Sequence, residues 1–240
     1  MFNLKFLGTA DSQGIPVFNC TCGVCEEYRK KGIKNLSTCA YIENKDGVIL
    51  LDAGIDDIAF IFDGVKIKAV FLTHFHADHV LGLLRLRYAN EKIDCYHPED
   101  KQGFADLFKH KKSINYIQNT PFKTITVDNL KFIPIPLKHS KNTTGYVIYD
   151  EDMVVAYLTD CAGIDEKSMK FLKKFKFDKC FIDASLPPDC KNGNHLNYKQ
   201  ASEILDQLNL KEGYFIHVSH NTLEYIKKNN IKTKYRYLGI

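Results

Sequence analysis

The sequence predicts an α/β protein in which sheets are sandwiched between helices. Three observations carry that expectation. Strand-like and helix-like runs alternate along the chain, strands followed by helices recur in both halves, and the earlier half is richer in hairpins. No linker, low-complexity tract or short repeat interrupts the 240 residues. A chain of this length can bury one sizeable core, so residues 1–240 read as a single domain.

Strands are predicted at residues 3–7, 37–44, 47–52, 67–73, 92–96, 123–128, 130–136, 144–149, 153–158, 178–183 and 213–217. Hairpins are expected around "ENKDG", around Asp128-Asn129 and around Asp150-Glu151. Helices are predicted at 79–86, 101–109, 165–175, 198–208 and 221–228. The third has a clear start in "GIDEKSMKFLKKF": early acids, apolar residues at helical spacing, late lysines.

Net charge is +4. That mild surplus suits an anionic substrate, but it is too small and too evenly spread to imply nucleic acid, and the lysines read as a solvated surface. The opening "FNLKFLGT" is strand-like rather than a signal peptide, and no apolar run reaches the length of a membrane span. A cytoplasmic protein without a membrane partner is expected. In a reducing compartment, clustered cysteines point to metal rather than to disulfides.

The stretch "AVFLTHFHADHVLGL" holds the densest chemistry. His74 and His76 follow an apolar strand two residues apart, so both project to one side. The chain then turns, and Asp78 and His79 can reach the same cavity. Four such groups packed without a cation would be costly polar groups lacking partners, so a metal is expected, with nitrogen and oxygen donors suited to zinc, manganese or iron. One segment cannot fill two metal shells. Further candidates stand just after other predicted strands: His139 after "FIPIPLK", Asp160 closing "VVAYLTD", His217 in "YFIHVSH" and Asp52 closing "VILLD".

The second cluster is "NCTCGVC" at 20–25, with Cys20, Cys22 and Cys25. Three thiols in six residues need one more donor for tetrahedral zinc. His220, three residues after His217, is the best candidate. Such a site would pin the N-terminal loop beside the C-terminal ligand segment. The remaining cysteines, Cys39, Cys95, Cys161, Cys180 and Cys190, read as small buried hydrophobes.

The H-x-H-x-D-H run followed by spaced His, Asp and His resembles the metallo-β-lactamase superfamily over most of the chain. The resemblance implies a four-layer αβ/βα sandwich with two divalent metals along one edge. It implies that His74, His76 and His139 hold one metal, that Asp78, His79 and His217 hold the other, that Asp160 bridges them, and that Asp52 orients a ligand histidine from behind. The ordered stretches "GTADSQGIPVFNCTCGVC", "THFHADHVLGLLRLR", "DLFKH", "LKHSKNTTGY", "TDCAGIDEKSMKFL" and "NGNHLN" are similar to the phosphoribosyl 1,2-cyclic phosphate phosphodiesterases of the carbon–phosphorus lyase pathway, the PhnP type. That likeness implies a third, structural zinc on Cys20, Cys22, Cys25 and His220. It also implies opening of 5-phosphoribosyl 1,2-cyclic phosphate to ribose 1,5-bisphosphate in phosphonate catabolism, with His195 as proton donor or phosphate contact, and a homodimer. Asp78, both ligand and carboxylate, is a second group that could handle a proton. The catalytic pair could be manganese or zinc, with iron or nickel also suited to the donors. Lys138, Lys141, the run "KHKK" at 109–112, Thr143 and Thr144 are available for a second phosphate. The expected partner is thus a small phosphorylated sugar, not nucleic acid. The rival readings are a tRNA 3′-processing nuclease of the RNase Z type and a metal-binding protein without turnover.

Overall fold

The computed structural model describes residues 2–190 and 193–238. Its first sheet contains β1 (Leu4–Gly8), β2 (Cys39–Asn44), β3 (Gly47–Leu51), β4 (Ile67–Phe71), β5 (Ile93–His97) and β6 (Ile114–Gln118), side by side in that order. The second runs β7 (Ile125–Val127), β8 (Leu130–Leu137), β9 (Thr143–Tyr149), β10 (Val154–Leu158), β11 (Lys176–Asp183), β12 (Asn209–Ile216) and β13 (Arg236–Tyr237). Each sheet begins with antiparallel hairpins and ends in parallel strands: β3 to β6 in the first, β10 to β13 in the second. The three expected hairpins are present, with Asn44 facing Gly47, Val127 facing Leu130 and Tyr149 facing Val154.

Successive side chains of a strand point to opposite faces, and here both faces are covered. Ile49 and Leu51 of β3, with Phe71 of β4, meet Phe132, Tyr146, Tyr157 and Ile216 between the sheets. The Phe71 and Phe132 rings stack across that seam with centroids 3.8 Å apart. Val48, Leu50 and Val70 point outward under α2 (Ile58–Ile61), α3 (Ala77–Val80) and α4 (Leu83–Leu86). On the other side, Ala156, Cys180 and Phe215 pack under α5 (Glu166–Leu172), α6 (Tyr198–Leu205) and α7 (His220–Lys228). The result is a helix, sheet, sheet, helix sandwich. No helix among the described residues is long and apolar enough to cross a membrane.

Several expected elements differ. Residues 101–109 form turns, not a helix. Asp100 Oδ1 accepts from the Gln102 and Gly103 amides, and Gly103 turns to φ +64°, where a Cβ would press the Phe108 ring at 2.8 Å. The expected helix at 79–86 is two short ones, α3 and α4, joined at Gly82, whose amide donates to Ala53 O. The cysteine segment at 20–25, read as a loop, runs into α1 (Gly23–Lys31), ended by Gly32 at φ +64°. Strand β6 was not expected. Cys39, Cys95, Cys161 and Cys180 are buried as expected, but Cys190 is exposed.

Candidate metal centre

Each segment that supplies the two histidine sets leaves a strand at its C-terminal end. Strand β3 delivers Asp52, β4 the 74–79 turn, β8 His139, β10 Asp160 and β12 His217. Because β8 runs parallel to β10 and β12, these ends share one edge of the sandwich. The chain turns abruptly there. Asp52 and His217 take φ +61° and +57°, left-handed values that cost a residue with a side chain roughly 1–3 kcal/mol. The 74–79 turn lies so close to the loop after β3 that a Cβ on Gly54 would fall 1.5 Å from the Asp78 carbonyl oxygen.

All seven expected ligands come together, in two sets. His74 Nε2 and His139 Nε2 lie 2.8 and 3.2 Å from His76 Nδ1, and 3.6 and 3.7 Å from Asp160 Oδ2. His79 Nε2 and His217 Nε2 each lie 3.2 Å from Asp160 Oδ1, and 3.4 and 3.5 Å from Asp78 Oδ2. Asp160 thus turns one oxygen to each set. Donors on one tetrahedral zinc stand about 3.3 Å apart, given Zn–N near 2.0 Å, and these spacings match. His79 Nε2 and both nitrogens of His217 are buried with no hydrogen-bond partner, an arrangement costly without a cation between them. The donor sets therefore fit divalent metals.

Electrostatics point the same way. Burial disfavours charge on His217, but Asp160, Asp78 and Asp183 win and raise it to about 9. Burial would raise the Asp78 carboxyl, yet His79 and His217 hold it well below the usual range. His74, by contrast, is pushed down, chiefly by burial and then by His79. Behind the ligands, Asp52 Oδ2 accepts from His79 Nδ1 at 2.9 Å, and its Oδ1 accepts from the Thr73 amide at 2.7 Å. The Thr73 hydroxyl also stands 3.0 Å from His74 Nδ1.

His195 sits over both sets, its ring stacked on His217 at 4.9 Å and 5.0 Å from His139. Its Nδ1 donates to Asp183 Oδ2 at 2.7 Å. Asp183 is fully buried and also accepts from the Cys161 and Ser185 amides. Burial lowers the imidazole pKa, but Asp183 more than offsets this and the net shift is upward. Sequence reasoning missed Asp183, although it closes "KCFID" as Asp160 closes "VVAYLTD". It also missed Thr73 and the groove residues Ser12, Ser140 and Asn194. The "NGNHLN" stretch begins at Asn192, outside the described residues.

The groove over this centre measures about 340 Å³ and is lined by candidate ligands, His195 and those three polar residues. A larger cleft of about 540 Å³ opens between Phe62 and Tyr88, but no candidate ligand lines it. Among the described residues no lysine or arginine lines the groove. Lys141 is engaged with Asp100 at 3.1 Å, Thr143 donates to Lys141 O, and Thr144 is buried. The 109–112 run precedes β6 at the opposite end of the parallel strands, which span roughly 16 Å.

The cysteine cluster also assembles. Cys20, Cys22 and Cys25 Sγ stand 3.5, 3.4 and 3.6 Å from His220 Nδ1. With Zn–S near 2.3 Å and Zn–N near 2.0 Å, tetrahedral S and N donors are about 3.6 Å apart, so the residues fit one structural zinc. Burial pushes the Cys25 thiol up to about 12, a proton that a cation must displace.

Residues 48–218 match a beta-lactamase superfamily domain. The crystal structure of a new diphosphatase from the PhnP family superposes with a TM-score of 0.81 at 27% identity, covering 100% of this chain and 95% of that one. The Octanoyltransferase of Porphyromonas gingivalis is 26% identical over 90% of this chain, and Ribonuclease Z of Chlamydia caviae is 23% identical over 54%. The chain spans only 45% and 48% of those two relatives' lengths.

Proposed function

The chain belongs to the beta-lactamase superfamily, and from that premise we propose that this hydrolase of metallo-β-lactamase fold is a two-metal phosphodiesterase opening a small cyclic phosphate. The substrate in this reading is 5-phosphoribosyl 1,2-cyclic phosphate, the product ribose 1,5-bisphosphate, and the setting phosphonate catabolism. The observation that carries it is Asp160, with one carboxylate oxygen facing each imidazole set.

In this reading His74, His76 and His139 hold one cation, Asp78, His79 and His217 the other, and Asp160 both. The convergence of Cys20, Cys22, Cys25 and His220 supports a structural zinc there. When bound, the two divalent cations would supply Lewis acidity and a water that ionises near neutral pH. Asp52 fixes the His79 ring so that Nε2 faces the centre. Asp183 holds the His195 proton at Nδ1 and favours the protonated ring, leaving Nε2 to face the groove. As the water oxygen bonds to phosphorus and the phosphorus–ribose oxygen bond breaks, His195 Nε2 delivers its proton to the departing oxygen. Asp78, held ionised by two imidazoles, serves as ligand and leaves that task to His195.

A second reading is hydrolysis of a phosphoanhydride, favoured by the likeness to a PhnP-family diphosphatase. Phosphorus NMR of the metal-loaded chain with 5-phosphoribosyl 1,2-cyclic phosphate separates the two. Ribose 1,5-bisphosphate is the expected product. An intact ring, beside cleavage of a nucleoside diphosphate or a tRNA precursor, contradicts the proposal.

A further inference from the structure

Two serines line the groove from different segments. Ser12 sits in the turn Asp11 to Gly14, closed by the Gly14 amide donating to Asp11 O at 3.1 Å. The Gln13 amide and side chain brace it on Asp11 Oδ1 and Oδ2. Asp11 N donates to Val218 O and Val218 N to Thr9 O, which ties the turn to the residue after His217. Ser140 directly follows His139, whose Nδ1 donates to Asn194 O at 2.8 Å. Ser12 therefore belongs to the Asp78–His217 side of the centre and Ser140 to the His139 side. Both are exposed, both line the groove, and among the described residues neither hydroxyl has a hydrogen-bond partner within the protein.

Resting on the phosphodiesterase reading, we propose that Ser12 and Ser140 determine specificity by hydrogen-bonding the sugar's free hydroxyl and its 5-phosphate on either side of the cyclic phosphate. The groove then selects a cyclic phosphate on a phosphorylated sugar over a diester with bare aryl substituents. The physical basis is the asymmetry of hydrogen bonding. The sugar's free hydroxyl and a 5-phosphate oxygen replace the water lost from the two serines, whereas an aryl group strips that water and returns nothing. The Ser12 turn is anchored by backbone bonds and Ser140 follows a histidine held by Asn194 O, so both serines are placed at the groove before substrate arrives.

The test is the ratio of kcat/KM for 5-phosphoribosyl 1,2-cyclic phosphate to that for bis(p-nitrophenyl) phosphate, in wild type, Ser12→Ala and Ser140→Ala. Elemental analysis of each variant accompanies it. The ratio is expected to fall roughly tenfold per variant, with metal content unchanged. A ratio constant within twofold overturns the proposal. So does a fall accompanied by metal loss, which would make the serines supports for the ligands. A wild-type enzyme that opens neither ester overturns the phosphodiesterase reading and this proposal with it. Turnover of both, with the ratio unmoved, overturns this proposal alone.

Discussion

The Asp52 carboxylate is fully buried, and burial pushes its pKa up while His79 and Thr73 draw it back. Its work is to aim His79. Asp52→Ala is expected to weaken metal binding by about 10–100-fold in competition with a chelating dye, and unchanged affinity would show that the ring needs no such hold. His195 is judged by its leaving group. His195→Ala should cost about 10²–10⁴ in rate on the sugar ester, whose alkoxide needs a proton. It should cost far less on a p-nitrophenyl ester, whose anion leaves unaided. Equal losses on both would assign His195 to phosphate binding. His217 sets a pH dependence. Raised to about 9 in the metal-free chain, it is protonated at neutral pH, and only the neutral ring binds metal. Affinity should therefore rise from pH 6 towards 9 with proton release, measurable in weakly buffered solution. Affinity that is flat across that window would contradict the assignment. The ligands were legible because each closes or follows an apolar strand. Asp183 carried the same signal unread, whereas Thr73, Ser12 and Ser140 are hydroxyls of a kind every polar loop contains.

At the scale of elements, α1 is held to α7 by the Val24 amide donating to Glu224 Oε2, a half-buried bond, and by an exposed ion pair between Glu27 and Lys227. The exposed pair contributes little, so the cysteine cluster clamps the two together with the apolar cluster that Val24 and Tyr28 share with Leu223. Cys25→Ser should lose one zinc per chain and lower the melting temperature, as followed by elemental analysis and calorimetry. An unchanged zinc count would remove the clamp from the account. The close approach at Gly54 is equally local. Gly54→Ala must push the 74–79 turn away, and loss of catalytic metal with the cysteine-bound zinc retained is the expected result. The element-level misreadings have physical causes. Residues 101–109 have helical composition, but the Asp100 cap and Gly103 commit them to turns. Helix α1 was hidden because its cysteines drew attention to ligation, although Gly32 and the basic last turn marked its end.

For the whole molecule, neither sheet carries a complete centre. The first supplies the 74–79 turn and Asp52, the second His139, Asp160 and His217. The four-layer arrangement came with the family resemblance, and sheets between helices were legible from the alternation of strand-like and helix-like runs. The docking of one strand edge on the other was not, because no local pattern encodes it. The site should therefore share the stability of the seam. Phe132→Ala, which empties the stack on Phe71, is expected to cost about 3–5 kcal/mol and to weaken metal binding with it. Metal removal should in turn lower the melting temperature, since ions that bind only the folded chain stabilise it. The most direct measurement is metal stoichiometry by elemental analysis of wild type and Asp160→Ala. The expected result is about three ions per wild-type chain, with only the cysteine-bound zinc surviving the loss of the bridging carboxylate. A wild-type chain that holds a single ion, or an Asp160→Ala chain that keeps all of them, would contradict a shared two-metal centre.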